Sequence, residues 1–368
     1  MEQRKLDNIT SLRGIAAVFI IVHHYSTYLI PEIKQFTSGF TPFISKNYIW
    51  VDFFFILSGF ILAYVYSSKF QVRVEKKDYL KYISSRFARI YPLHLFILIA
   101  FLFLESAEYI HFQAASAAGD SQHQYLPFTG TESIPTFIIN LFLLQTFING
   151  TYWNQPAWSI SAEWVVYMFI PLLVPVICRF KWPGKATLFL LSFSVLYILQ
   201  KPHSTLDLTP TLSFIRCICE AIIGIALYDI YKSNLWSNIL SGNNATHLIF
   251  SASFLTLFLD ISHLITIAIF ALLILSAAYN IDDSFLSNKF LIFLGTISYS
   301  IYMTHWFIQV LLQKLSKVIT GNDFSDNFSS ALSPAVLLIC ICLVIVASTI
   351  TYKLIENPFR KWLRSISV

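Results

Sequence analysis

The sequence predicts an all-α integral membrane protein with about ten transmembrane helices, on the basis of its composition and its succession of apolar segments. Hydrophobic residues make up 56% of the 368 residues and charged residues 12%, about half the charged fraction typical of soluble domains. The mean hydropathy is +0.64. A soluble domain has no use for so much apolar surface, and the aromatic fraction of 17% suits a helical bundle with aromatic belts at the membrane interfaces.

Ten apolar segments are predicted to form the transmembrane helices, because each is close to the roughly 20 residues that one crossing needs. They lie at residues 12–30, 49–66, 90–106, 158–178, 186–200, 211–231, 246–260, 263–280, 291–316 and 334–355. The first segment is longer than a signal-peptide core and has no small-residue cleavage site, so we expect it to remain as a span. We expect a single membrane domain over residues 1–368, with no attached soluble domain.

The distribution of Lys and Arg predicts the topology. The N-terminal MEQRK and the C-terminal RKWLR are both basic, so we expect both termini to be cytoplasmic and the number of spans to be even. A further apolar stretch, 134–148, is ambiguous. If it crossed the membrane, the basic stretch CRFKWPGK would lie outside, against the positive-inside rule. We therefore predict a short helix at 134–148 on the outer side, and ten spans in total.

The cysteines do not predict a disulfide framework or a metal site. All five lie in apolar segments, and the two close pairs, Cys217 with Cys219 and Cys340 with Cys342, have a spacing of two residues. On a helix this spacing points the two side chains to nearly opposite sides. We expect no bound metal.

The first apolar segment carries polar side chains that hydrocarbon does not favour. Arg13 and His24 are eleven positions apart, which is close to three helical turns. They therefore share a face and lie about 16 Å apart along the axis. Polar residues at this depth usually face the bundle interior or a wet cavity. His24 is a candidate functional residue or a structural histidine bonded to another helix, and His23 is its structural neighbour.

The second and third segments add further candidates. Asp52 lies near the outer end of the second segment, where it could orient a histidine, and Ser58 precedes a glycine in a pattern typical of close helix packing. Arg86 and Arg89 are three apart and share a helix face. Guanidinium groups match phosphate oxygens with two parallel hydrogen bonds, although basic residues here could also serve only to set the topology.

Two later helices carry polar stripes. Ser159, Glu163 and Tyr167 fall at i, i+4 and i+8 of one helix, and a carboxylate about one turn inside a membrane is a strong site candidate. In a later segment Ser298, Tyr302 and His305 share a face. Near the C-terminus, Glu356 is more typical of a structural acid that pairs with a basic residue. Arg216 and Glu220 are four apart and could pair with each other. These stripes together indicate an enzyme.

Six stretches of this chain occur in a characteristic order. They are ITSLRGIAAVFIIVHHY, VDFFFILSGFILAY, RFARIYPLHLF, WSISAEWVVYMFIPLL, SYSIYMTHWF and ENPFRKW. In this order they resemble the acyltransferase-3 family of membrane O-acyltransferases, over essentially the whole chain. The resemblance implies a ten-helix domain that takes an acyl group, usually acetyl from acetyl-CoA, and passes it to a hydroxyl of an envelope glycan or another acceptor.

The resemblance also implies roles for particular residues. The family's arginine and histidine of the first helix carry over to Arg13 and His24, and its R-x-x-R pair carries over to Arg86 and Arg89. Met303 stands where leucine is common, which is a minor departure. The esterase-like domain that is often fused to the family is not expected here, so this domain would complete the transfer.

The tryptophan–serine helix of the family, with its acid, carries over to Trp158, Ser159 and Glu163. We expect His24 to act as general base, because a sugar hydroxyl is a poor nucleophile until its proton is removed. Glu163 or Asp52 would orient the imidazole or stabilise its charged form.

We expect Arg13, Arg86 and Arg89 to hold the coenzyme A thioester, and Ser58, Trp158, Ser159, Tyr302 and His305 to support the substrates. The expected partners are this donor, a glycan or glycolipid acceptor and membrane lipids, without nucleic acid, and the expected location is the bacterial inner membrane. The alternative is a transporter or flippase for a glycan or lipid intermediate, since buried polar residues in ten spans fit that class too.

Overall fold

The computed structural model of the protein describes residues 6–70, 74–117, 126–148, 150, 152–201, 212–280 and 285–366, and the regular elements in these ranges are helical. The α-helices are α1 (Asp7–Tyr28), α2 (Pro31–Ser38), α3 (Phe43–Lys46), α4 (Trp50–Tyr66), α5 (Lys76–Ala117), α6 (Ile134–Leu141), α7 (Ala157–Arg179), α8 (Trp182–Gln200), α9 (Ser213–Lys232), α10 (Ser237–Leu240), α11 (Asn243–Phe258), α12 (His263–Tyr279), α13 (Lys289–Thr296), α14 (Ser298–Thr320), α15 (Ser333–Thr351) and α16 (Asn357–Ile366).

The protein is a multi-pass helical membrane protein. In the described ranges, six helical stretches are long and apolar enough to cross a bilayer, and α13 with α14 forms a seventh candidate that is bent by 67°. The six are Asp7–Tyr28, Phe43–Tyr66, Lys76–Ala114, Ala157–Arg179, Trp182–Gln200 and Ser330–Leu363. Helices suit this setting because each backbone N–H and C=O is satisfied within the segment.

The predicted number of ten spans is not confirmed by these helices, although each of the ten apolar segments coincides with helix. Helices α9, α11 and α12 are the three that do not qualify as candidate spans. Helix α9 carries several charged residues, including Arg216 and Glu220. Helices α11 and α12 have 16 and 17 residues, fewer than the roughly 20 of a full crossing.

The charge pattern predicts two loops beside the third apolar segment, the basic residues 67–89 before it and residues 105–133, which contain no Lys or Arg, after it. Helix α5 extends into both. Helix α5 runs for 42 residues from Lys76 to Ala117, about 63 Å at the usual rise per residue. It therefore includes most of the basic stretch before residue 90 and the start of the acidic stretch after residue 104. The charged residues Lys, Arg and Glu are good helix formers, so the helix continues on both sides of its apolar middle.

The stretch 134–148 contains the short helix α6, whose eight residues span only about 12 Å. This length agrees with the predicted non-crossing helix, whereas its position on the outer side stays a prediction. The basic residues of the N-terminus, at positions 4 and 5, lie outside the described residues. The cytoplasmic location of both termini therefore also stays a prediction.

Close helix crossings hold the bundle together at glycines. A Cβ on Gly224 of α9 would lie 2.0 Å from the backbone oxygen of Ile56 in α4, and a Cβ on Gly295 of α13 would lie 1.7 Å from the backbone oxygen of Thr10 in α1. Only glycine permits such approaches, a common device in membrane helix packing. These crossings fix α1 and α4, which carry several of the predicted site residues.

Candidate active site

A cavity of about 490 Å³ lies between α1, α4, α5, α7, α14 and α16, within the size range of small-molecule sites. Seven of the eleven predicted site residues line it. They are Arg13, Ser58, Arg86, Arg89, Ser159, Glu163 and Tyr302. Helical spacing predicts which of these residues share a helix face. The tertiary structure brings the faces of α1, α4, α5, α7 and α14 together around the cavity.

Arginine dominates the charge of this cavity. Arg86 donates hydrogen bonds to the hydroxyls of Tyr66 (3.3 Å) and Ser85 (3.1 Å), and its guanidinium lies 5.5 to 6.0 Å from the ring centroids of Tyr66, Tyr82 and Tyr167. Aromatic rings thus position a guanidinium without neutralising it with an acid. Its charge remains available to an anionic ligand.

Arg89 and Arg13 differ in their partners. Arg89 forms a salt bridge of 2.8 Å with Glu356, which confirms that this acid pairs with a basic residue, and Ser300 donates a hydrogen bond to the second carboxylate oxygen (2.8 Å). Arg13 forms no salt bridge with any described residue, although it lies near Arg89 and Glu163. Two cationic groups on different helices therefore face the same space.

A fourth arginine, Arg360 of α16, also lines the cavity. Sequence reasoning missed it because the basic C-terminal stretch was assigned only a topological meaning. The available signal was its place in ENPFRKW, four residues after Glu356. Helix α16 packs against α5, which brings Arg360 to the same cavity as Arg86 and Arg89.

Glu163 is the carboxylate of this cavity. The hydroxyls of Ser58 and Tyr167 both donate hydrogen bonds to its Oε1 atom, at 2.7 and 2.6 Å. On the same helix, the Ser159 Oγ atom lies 2.6 Å from the hydroxyl of Tyr302. The two predicted polar stripes of α7 and α14 thus meet at the cavity wall.

His24 lies outside the residues that line the cavity and pairs with His305. Its Nδ1 atom is 2.8 Å from the Nε2 atom of His305, and the two ring centroids are 5.0 Å apart. The ring of Tyr302, which lines the cavity, lies 5.8 Å from that of His305. The histidine pair therefore adjoins the cavity through Tyr302. The neighbouring His23 bonds instead to the backbone oxygen of Ile44 (3.1 Å).

The expected contact between a carboxylate and His24 is not formed. Both oxygens of Asp52 accept hydrogen bonds from Arg216, at 2.7 and 2.5 Å. The Nε atom of Arg216 also lies 3.6 Å from the Oε1 atom of Glu220, the pairing that the four-residue spacing suggested. The guanidinium carbon of Arg216 lies 5.9 Å from the ring centroid of Trp158. Asp52 faces α9 because the close crossing of α4 and α9 brings a buried cation to it, and sequence spacing does not reveal such a neighbour.

The described residues contain no group of three His, Cys, Asp or Glu side chains that could hold a metal ion. The chemistry that these contacts support directly is proton transfer at an imidazole and recognition of anionic groups by arginine.

The fold and the site define a multi-pass membrane protein with an arginine-lined cavity next to a histidine pair. The model of the acyltransferase-3 family, described as an acyltransferase domain, matches residues 6–353. The chain belongs to this family.

Individual relatives agree with this assignment. The chain is 25% identical to the acyltransferase MdmB of Streptomyces mycarofaciens, over 96% of this chain and 91% of that protein. It is 24% identical to the O-acetyltransferase OatA of Staphylococcus aureus, over 97% of this chain and 58% of that longer protein. No solved structure matches the chain.

Proposed function

We propose that this protein is a membrane O-acyltransferase that moves an acetyl or related acyl group from acetyl-CoA to a hydroxyl of an envelope polysaccharide or glycolipid. The observation that carries the proposal is the cavity that combines Arg13, Arg86 and Arg89 and adjoins the pair of His24 and His305. The family membership and the name of the O-acetyltransferase relative support the same reaction. The proposed location is the bacterial inner membrane, with both termini cytoplasmic.

The arginines of the cavity are proposed to bind the phosphate groups of the donor. Guanidinium groups form charge-assisted, often bidentate hydrogen bonds with phosphate oxygens. Arg86 is the best-placed donor, because rings and hydroxyls hold its guanidinium and no described acid neutralises it. The pantetheine arm would then extend along the cavity towards Tyr302 and the histidine pair.

His24 is proposed to act as general base on the acceptor. The hydroxyl proton passes to the imidazole, the hydroxyl oxygen forms a bond to the acyl carbon, and the carbon–sulfur bond breaks. The thiolate of coenzyme A then takes the proton from the imidazolium, so that atoms and charge balance. A general base of this kind contributes about 10²- to 10⁴-fold in rate.

The two carboxylates are proposed to act at a distance from the imidazole. Glu163, bonded to Ser58 and Tyr167, would offset the positive charge of the cavity and hold two hydroxyls at its wall. Asp52 would fix Arg216 under Trp158 and so support α7. Ser159 and Tyr302 supply hydroxyls next to the path of the thioester.

Acetyl transfer from labelled acetyl-CoA in inverted membrane vesicles tests the proposal. We expect the wild type and the His23→Ala control to place label in the glycan or lipid fraction and to release coenzyme A. We expect His24→Ala, at equal protein level, to lose this transfer. Transfer that survives in His24→Ala would remove His24 from the mechanism. Movement of a glycan without release of coenzyme A would favour the transporter alternative.

A further inference from the structure

The contact between His24 and His305 holds one hydrogen at most between its two ring nitrogens. The His24 Nδ1 and His305 Nε2 atoms are 2.8 Å apart, so one nitrogen donates and the other accepts. A neutral imidazole has one N–H and one lone pair. The direction of this single bond therefore decides which nitrogen of His24 carries the lone pair.

The second nitrogen of His305 settles the direction. Its Nδ1 atom lies 3.2 Å from the backbone oxygen of Ile301, and a carbonyl oxygen only accepts, so Nδ1 carries a hydrogen. The His305 side chain is fully buried, and a buried charge without an acid is costly. A neutral His305 with a hydrogen on Nδ1 has its lone pair on Nε2. His24 must then donate from Nδ1, which leaves the lone pair on its own Nε2 atom.

The surroundings hold this arrangement in place. The hydroxyl of Tyr25 donates a hydrogen bond to the backbone oxygen of His305 (2.8 Å), which ties α14 to α1 at the pair. His24 is partly exposed, and no described residue hydrogen-bonds its Nε2 atom. The titratable groups that face the pair are His23, Tyr25 and Tyr28 on α1, Tyr302 on α14 and, beside Tyr25, Cys340 on α15.

We propose that His305 is a positioning residue that holds His24 in its Nδ1–H tautomer and aims the Nε2 lone pair at the acceptor hydroxyl. The proposal rests on the proposed function, in which His24 is the base. When Nε2 takes the hydroxyl proton, the Nδ1–H bond to His305 remains, and the same proton leaves from Nε2 to the thiolate. A neutral imidazole thus takes the orienting place that a carboxylate holds in a Ser-His-Asp triad.

The tautomers are tested without any acyl transfer. We would record ¹⁵N spectra of the full-length protein, labelled at histidine and placed in lipid, since protonated and unprotonated ring nitrogens have distinct shifts. The spectra of His24→Gln and His305→Leu assign the signals of the pair. We expect a protonated Nδ1 and an unprotonated Nε2 in His24, and a mixture of tautomers at His24 in His305→Leu. A wild-type His24 protonated on Nε2 would overturn the proposal, whether or not the protein transfers acetyl groups.

The activity arm compares two variants of His305. In His305→Gln the amide oxygen accepts the hydrogen of His24 Nδ1, whereas His305→Leu offers no acceptor. We expect His305→Leu to lose about 10²-fold in kcat, at the low end of what a general base supplies, with an unchanged KM for acetyl-CoA. We expect His305→Gln to recover most of that loss. Equal kcat values for the two variants, or a loss confined to KM, would contradict a positioning role.

Discussion

At the scale of single residues, the arginines that line the cavity differ in whether an acidic partner matches their charge. Arg89 is paired with the buried Glu356, so its charge is largely matched within the protein. Arg86 is held by the rings and hydroxyls of tyrosines, which position it and leave its charge unmatched. Arg86 is therefore the clearest single position at which to test donor binding.

We expect Arg86→Gln to weaken binding of coenzyme A to the purified protein. A hydrogen bond to a charged group contributes about 1.5–3 kcal/mol, which corresponds to roughly ten- to hundredfold in Kd. Titration calorimetry in detergent measures this change. Lys77→Gln is the matched control, because Lys77 is exposed in the same basic stretch and does not line the cavity. Equal losses in both variants would mean that general basicity, rather than Arg86, attracts the donor.

At the scale of helices, the crossing of α4 and α9 fixes the position of one wall of the cavity. Gly224 permits the close approach of the two backbones, and the buried pair of Asp52 and Arg216 joins the same helices in the first turn of α4. Helix α4 also carries Ser58, which bonds Glu163 across to α7. A change in the spacing of α4 and α9 would therefore reach the cavity wall.

We expect Gly224→Ala to destabilise the protein, because the new Cβ would lie 2.0 Å from the backbone oxygen of Ile56 and force the helices apart. Overpacking of this kind costs about 1–3 kcal/mol. Thermal unfolding in detergent, with Gly242→Ala as the control, measures the effect, since a Cβ on Gly242 has no described atom within 4 Å. An unchanged midpoint for Gly224→Ala would show that the crossing is looser than the structure describes.

At the scale of the whole molecule, the positive-inside rule and the length of α6 both indicate that residues 134–148 do not cross the membrane. A helix of eight residues is too short to cross a bilayer whose hydrocarbon core is about 30 Å thick. Helix α7 is then the single crossing between the exposed positions Thr131 and Lys181. These two positions are expected on opposite sides of the membrane.

Single cysteines introduced into a cysteine-free background test this topology in intact cells. We expect Thr131→Cys to react with a membrane-impermeant maleimide from outside, and Lys181→Cys to react only after the membrane is opened. Labelling of both positions from outside would show that the stretch 134–148 crosses the membrane. It would also move the basic stretch at residues 178–185 to the outer side, against the charge pattern.

The sequence by itself determined the class of the fold and most of the predicted residues that the structure brings to the cavity. Composition and the apolar segments predict a helical membrane protein, because hydrocarbon selects long apolar stretches whose backbone is satisfied internally. Helical spacing predicts which polar residues share a face. Seven of the eleven predicted site residues line the cavity between those faces. The ends of α5 were not predicted, because charged residues also form helix. The number of spans was not decided, because α9 is charged and α11 and α12 are shorter than a full crossing.

Only the tertiary structure decided which residue pairs with which. Spacing along a helix gives the direction of a side chain but not the neighbour that it meets across an interface. Asp52 could therefore be expected at His24, whereas the close crossing of α4 and α9 pairs it with Arg216. His24 meets His305 instead, 281 positions along the chain. Buried polar groups must satisfy their hydrogen bonds with whatever partner the packing supplies, and the packing of α1 on α14 supplies an imidazole.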